Sequence, residues 1–184
     1  MKNDSARWNR LFLFCLGLFI AGAFAMKWME SDLIYKGETI SIFGLELFYP
    51  KEKIIEIFSG IDDNVRTILS YHLSFDFIFM AGCYPGIACL CMMAVQKVKS
   101  KNPIATRSKR ILLLMAGIQS LAWAFDIIEN YYLLKWLKHP MIGNEFGFYH
   151  VIVYSKWIIA LAGALFALLM LATSSFKKNL QPGN

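Results

Sequence analysis

Charge is scarce in this chain. Only 17% of its 184 residues are Asp, Glu, Lys or Arg, while 57% are hydrophobic. A soluble domain of this size carries closer to a quarter of charged residues, so the shortage argues against an ordinary water-soluble globule. Proline is sparse too, at five residues, which lets long helices run with few interruptions. Cysteine is limited to Cys15, Cys83, Cys89 and Cys91. None of these has a zinc spacing, and all lie in apolar stretches away from an oxidising solvent, so they read as small packing residues. No glycine-rich phosphate loop, nucleophilic triad or metal-ligand signature is present, and no cofactor is expected.

What is abundant points to lipid. Mean hydropathy is +0.46, and the 15 Phe, 8 Tyr and 5 Trp suit lipid-facing and interfacial positions. A spanning helix needs about 20 mostly apolar residues. Four segments qualify, at about 11–26, 68–95, 111–137 and 149–175. The expected fold is therefore an all-α bundle of four transmembrane helices forming one membrane domain over residues 1–184. The first segment also fits a cleavable signal peptide, with a basic start, an apolar centre and Ala23-Phe24-Ala25. Gly17, Ala21 and Ala25 form a small-xxx-small ridge, which favours a retained packing helix.

Orientation follows from Lys and Arg. Eleven fall on one side: Lys2, Arg7 and Arg10, then Lys97, Lys99, Lys101, Arg107, Lys109 and Arg110, then Lys177 and Lys178. The opposite side mixes seven basic with nine acidic residues. This predicts a multi-pass protein of the cell membrane with both termini cytoplasmic. The basic loop would lie on anionic inner-leaflet lipid. A nucleic-acid partner is excluded, since no basic surface with stacking aromatics or known binding fold accompanies the charge.

Between the first two spans lies a loop too long to be a connector. Residues 33–35 and 39–47, broken at Lys36-Gly37, predict a small hairpin. Residues 51–58 have amphipathic helical spacing that stops at Gly60, which predicts an interfacial cap; a lid over an opening is the sharper alternative. Asp62, Asp63 and Asn64 should cap the second span.

Four ionisable residues sit inside the spans: Asp76, Asp126, Glu129 and Lys156. Charge at that depth is costly and usually faces the protein interior. At about 1.5 Å per residue, all four fall roughly 10–16 Å below one surface of a hydrocarbon core about 30 Å thick. Helical phase puts Asp126, Glu129 and Asn130 on one face, continued by Gln119. It puts His72 with Asp76, and Tyr149 with Lys156. Pro85 should bend the helix below Asp76. Tyr131, Tyr132, Tyr149 and Tyr154 suit an outer aromatic belt. Three carboxylates against one ammonium leave an excess that a buried site must relieve, by protonation or by a counter-ion. Asp76, Asp126, Glu129 and Lys156 are thus the candidate acid–base groups, and His72, Asn130, Gln119 and Tyr149 the candidate substrate-binding groups.

Asp126-Ile-Ile-Glu129-Asn130, with Asp76-Phe-Ile-Phe upstream and Lys156-Trp157 downstream, resembles small uncharacterised bacterial four-helix membrane proteins. That resemblance covers three short stretches and implies a fold without a stated activity. More loosely, His72-xxx-Asp76 followed by an acid on the next helix is similar to the polar pocket of emopamil-binding-type sterol isomerases. The surrounding residues depart from that family, so no roles carry over. Three functions follow from the pattern. The first is a protein that binds or converts a lipid-like substrate by acid–base chemistry. The second is a membrane subunit whose charges fix helix packing. The third is a proton- or ion-coupled carrier, which with four helices would need to be a homo-oligomer.

Overall fold

The computed structural model describes residues 2–98 and 103–179. Lys99 and Lys101 of the basic loop lie outside these, and the side chains of Lys2, Lys177 and Lys178 are likewise not described. The chain runs α1 (Lys2–Glu30), β1 (Ile34–Tyr35), β2 (Glu38–Thr39), a π-helical turn (Gly44–Phe48), α2 (Lys51–Gly60), α3 (Asp63–Lys97), α4 (Pro103–Lys138) and α5 (Glu145–Asn179). Among the described residues, four helices are long and apolar enough to cross a membrane: Ala6–Glu30, Asp63–Lys97, Pro103–Lys138 and Glu145–Ser174. Each exceeds its predicted span by several residues. A 35-residue helix is about 52 Å long, so polar ends such as Asp63 and Lys138 extend past the hydrocarbon or the helix tilts.

Helix α3 is the hub: α1, α4 and α5 all pack on it, and α4 packs on α5. Helices α1 and α5 flank α3 without packing closely on each other. The α1–α3 contact uses Cys15, Phe19 and Gly22 against Phe79 and Gly82. A Cβ added at Gly22 would lie 3.0 Å from Phe79 Cα, and one at Gly82 2.7 Å from the Cys15 carbonyl oxygen. The predicted ridge is therefore on the wrong face. Gly17 and Ala21 are exposed, and nothing comes within 4 Å of a Cβ at Gly17. Both faces of α1 carry small residues, and only α3's own glycines decide which one docks. Pro85 leaves α3 unbroken over Asp63–Lys97.

The cap departs from its prediction in one respect. The hairpin pairs Ile34 with Thr39 and Tyr35 with Glu38, turning through Lys36 and Gly37 at positive φ. The second strand ends there, however. Residues 42–48 wind into a helical turn instead of continuing as strand to Leu47, because Ile40, Ile42 and Leu45 need to be buried together rather than alternately. Helix α2 forms as predicted and buries Ile54, Ile57 and Phe58 against the cap end of α4, in a core with Leu133, Trp136 and Leu137. Its apolar side thus faces protein. Arg66 ties the parts together by donating to the Leu137 carbonyl and, at 2.8 Å, to the Phe58 carbonyl. Asp62 Oδ1 accepts from Val65 N at 2.8 Å and caps α3, as its position predicts.

Candidate functional site

Three antiparallel spans and the cap bring charge to one layer. On α5, Lys156 is 5% exposed. Its Nζ lies 2.6 Å from Asp126 Oδ1 and 2.6 Å from Glu129 Oε2, both on α4. Asp126 and Glu129 are three residues apart, so one turn of helix presents both to the same partner. The other Asp126 oxygen accepts from the Tyr84 hydroxyl of α3 at 2.7 Å. Asp76 of α3 accepts from the Asn130 side-chain amide at 2.5 Å. Asp126, Glu129 and Lys156 therefore form one directly contacting cluster, and the Asp76–Asn130 pair lies beside it, with Asp76, Asp126 and Lys156 lining one cavity.

A fifth ionisable residue joins them. Glu46, in the π turn of the cap, places Oε2 at 3.5 Å from Lys156 Nζ and accepts from Trp157 Nε1 at 3.2 Å. Burial pushes its carboxyl above the ordinary range, against the opposing pull of the Lys156 ammonium. Sequence reasoning passed over Glu46 because the loop read as strand. The available signal was a lone acid in the apolar run from Ile40 to Tyr49. π turns frequently mark functional positions, since the extra residue re-aims a side chain. Two tyrosines fix this turn: Tyr149 donates to the Leu45 carbonyl at 3.2 Å and Tyr154 to that of Leu47 at 3.1 Å.

The other predicted binding residues divide. His72 is 2% exposed, and its Nε2 is 3.9 Å from Glu30 Oε1 of α1. It faces Glu30, so the expected Asp76–His72 partnership is replaced by Asp76–Asn130. Tyr149 is fully buried, so it holds the cap and does not belong to an aromatic belt. Gln119 donates across to the Ile159 carbonyl of α5 at 3.3 Å, close to Gly163, and acts as an inter-helix tie. Tyr84 was absent from the sequence reading, since it lies two turns beyond Asp76 and reaches Asp126 only by its length.

The charged group closes one end of a cavity of about 560 Å³. The cavity occupies the space beside α3 that α1 and α5 leave unfilled. Glu46, Asp76, Asp126 and Lys156 line its polar part, with His72 and Glu30 toward the cap. Its walls elsewhere are apolar: Phe12, Leu16 and Phe19 from α1, Phe79 and Leu90 from α3, and Leu161 from α5. Glu129 lies behind Lys156, outside this lining. From Glu30 to Phe12 the chamber follows 18 residues of helix, about 27 Å. A volume of this size falls in the range of small-molecule sites. Chemically, the cluster can hold and exchange protons among carboxyls of different environment, with an ammonium fixed at its centre.

No protein-family model, curated protein or solved structure matches this chain.

Proposed function

We propose that this integral membrane protein binds a lipid-like molecule in the chamber beside α3 and acts on its polar part by acid–base chemistry. The observation that carries the reading is the chamber's shape and polarity together: a long apolar trough ending on a buried carboxyl–ammonium cluster. An amphiphile dissolved in the bilayer would enter sideways between α1 and α5, which do not pack closely on each other. Asp126 is the best placed proton carrier, because it lines the chamber and touches both Lys156 and Tyr84. Lys156 would stabilise developing negative charge. Glu129 would keep Lys156 in position. The distribution of Lys and Arg supports a cell-membrane location with both termini cytoplasmic and the cap outside.

The test is Ala164→Trp, which fills the apolar trough from α5 without touching the charged residues. Purified in mild detergent and measured by mass spectrometry, the wild type should carry a lipid that this variant lacks. Equal lipid in both would refute the reading. A second reading, that the charges only lock helices, is favoured by the way Lys156 bridges α5 to α4 and to the cap. It predicts that replacing the cluster by apolar residues preserves function.

A further inference from the structure

The polar end of the chamber holds more acid than its own residues neutralise. An ammonium has three N–H donors, and those of Lys156 face three carboxyls: Asp126 and Glu129 at 2.6 Å and Glu46 at 3.5 Å. The other donors are committed as well, Tyr84 to Asp126 and Trp157 to Glu46. Toward the cap, Lys27 is paired with Glu30 at 2.5 Å. Asp76 lines the chamber and, among the described residues, receives only the Asn130 amide. One turn nearer the cap, His72 lines the same chamber. It is buried, and neither of its ring nitrogens has a hydrogen-bond partner. Among the described residues, the wall between Glu30 and Asp126 therefore presents acceptors and an imidazole without a hydrogen bond, its Nε2 3.9 Å from Glu30 Oε1, while the cations Lys27 and Lys156 are both paired.

A ligand that completes this end brings positive charge. A phosphate or carboxylate head would meet Glu46, Asp76 and Asp126 while Lys156 is already engaged, leaving uncompensated anions in a water-poor place. A hydroxyl head would satisfy one acceptor and leave the charge excess to be relieved by protonation alone. Resting on the reading of the chamber as a lipid site, we infer that its ligand is an amphiphile with a protonated amine head. The ammonium sits against Asp76, with an unprotonated nitrogen of His72 accepting a second N–H. The chain runs along α1 and α3 toward Phe12 and Leu90.

Three probes with one chain and different heads test this: hexadecylamine, hexadecanol and hexadecyl phosphate, titrated into the full-length protein in phosphatidylcholine nanodiscs. Occupancy is counted by native mass spectrometry. The amine should bind at least tenfold more tightly than the alcohol, and the phosphate more weakly than both. Asp76→Asn keeps an oxygen for the Asn130 amide and removes the charge. It should bring the amine to the alcohol's level, and hexadecanol still bound by the variant reports an intact chamber. Excess methylammonium should fail to displace hexadecylamine. Equal or tighter binding of the alcohol or phosphate, or an amine affinity unmoved in Asp76→Asn, would each overturn the amine-head assignment while leaving the lipid chamber standing; displacement by methylammonium would show a head site that needs no chain and would overturn the amphiphile. If none of the three probes binds, the chamber is not a lipid site and the underlying reading fails.

Discussion

Replacing Lys156 by Met removes the one ammonium at the centre of the cluster while nearly preserving side-chain length. Its contacts at 2.6 Å to Asp126 and Glu129 are each worth about 6 kcal/mol of attraction at an effective dielectric of about 20. Desolvation of the partners, several kcal/mol per ion, offsets most of that gain. The loss on removing the ammonium is dominated by what remains, the buried carboxyls of Asp126, Glu129 and Glu46 with no counter-charge, and breaking a buried pair typically costs about 3–5 kcal/mol. Proton uptake by Asp126 or Glu129 would hold the loss to the lower end of that range. The triple variant Lys156→Met, Asp126→Asn, Glu129→Met removes the two carboxyls in closest contact, keeps an acceptor for Tyr84 and leaves Glu46 its Trp157 donor. It should therefore recover most of the loss, a non-additivity that contacting residues show. The assay is equilibrium unfolding in mixed micelles with increasing SDS, followed by circular dichroism. A single-variant loss below about 1 kcal/mol, the value of an exposed pair, would refute the argument. So would a triple variant no more stable than the single one.

Two further outcomes test the packing and the orientation. Gly82→Val drives a side chain into the Cys15 and Phe19 backbone, where an added Cβ already lies 2.7 Å from the Cys15 oxygen, and should cost about 1–3 kcal/mol by overpacking. Gly17→Val, with nothing within 4 Å, should stay within about 0.5 kcal/mol of wild type in the same unfolding assay. For orientation, a cysteine replacing Glu52 should react with a membrane-impermeant maleimide on intact cells. One replacing Arg107 should react only after permeabilisation; the opposite pattern would invert the topology.

The cap shows where local pattern stops being informative. Alternation over 39–47 is compatible with a strand, and its first residue, Thr39, does pair. The rest winds into a helical turn because Leu45 and Ile42 find a common apolar partner in α2 and the ends of α4 and α5, a contact made across a hundred residues. Once wound, the same segment turns Glu46 toward Lys156. The α1 ridge failed for a related reason. Small residues occur on two faces of α1, and the choice between them belongs to Gly82 on another helix.

Sequence by itself determined the class, the four apolar helices and the common level of Asp76, Asp126, Glu129 and Lys156 along them. These follow from two short-range quantities: the apolar length needed to cross a bilayer and a fixed rise per helical residue. The rotation of each helix, the entry of Glu46 and Tyr84, and the open side between α1 and α5 were decided only by tertiary packing. Rotation costs a lone helix nothing, and it becomes fixed when side chains from distant parts of the chain compete for the same space.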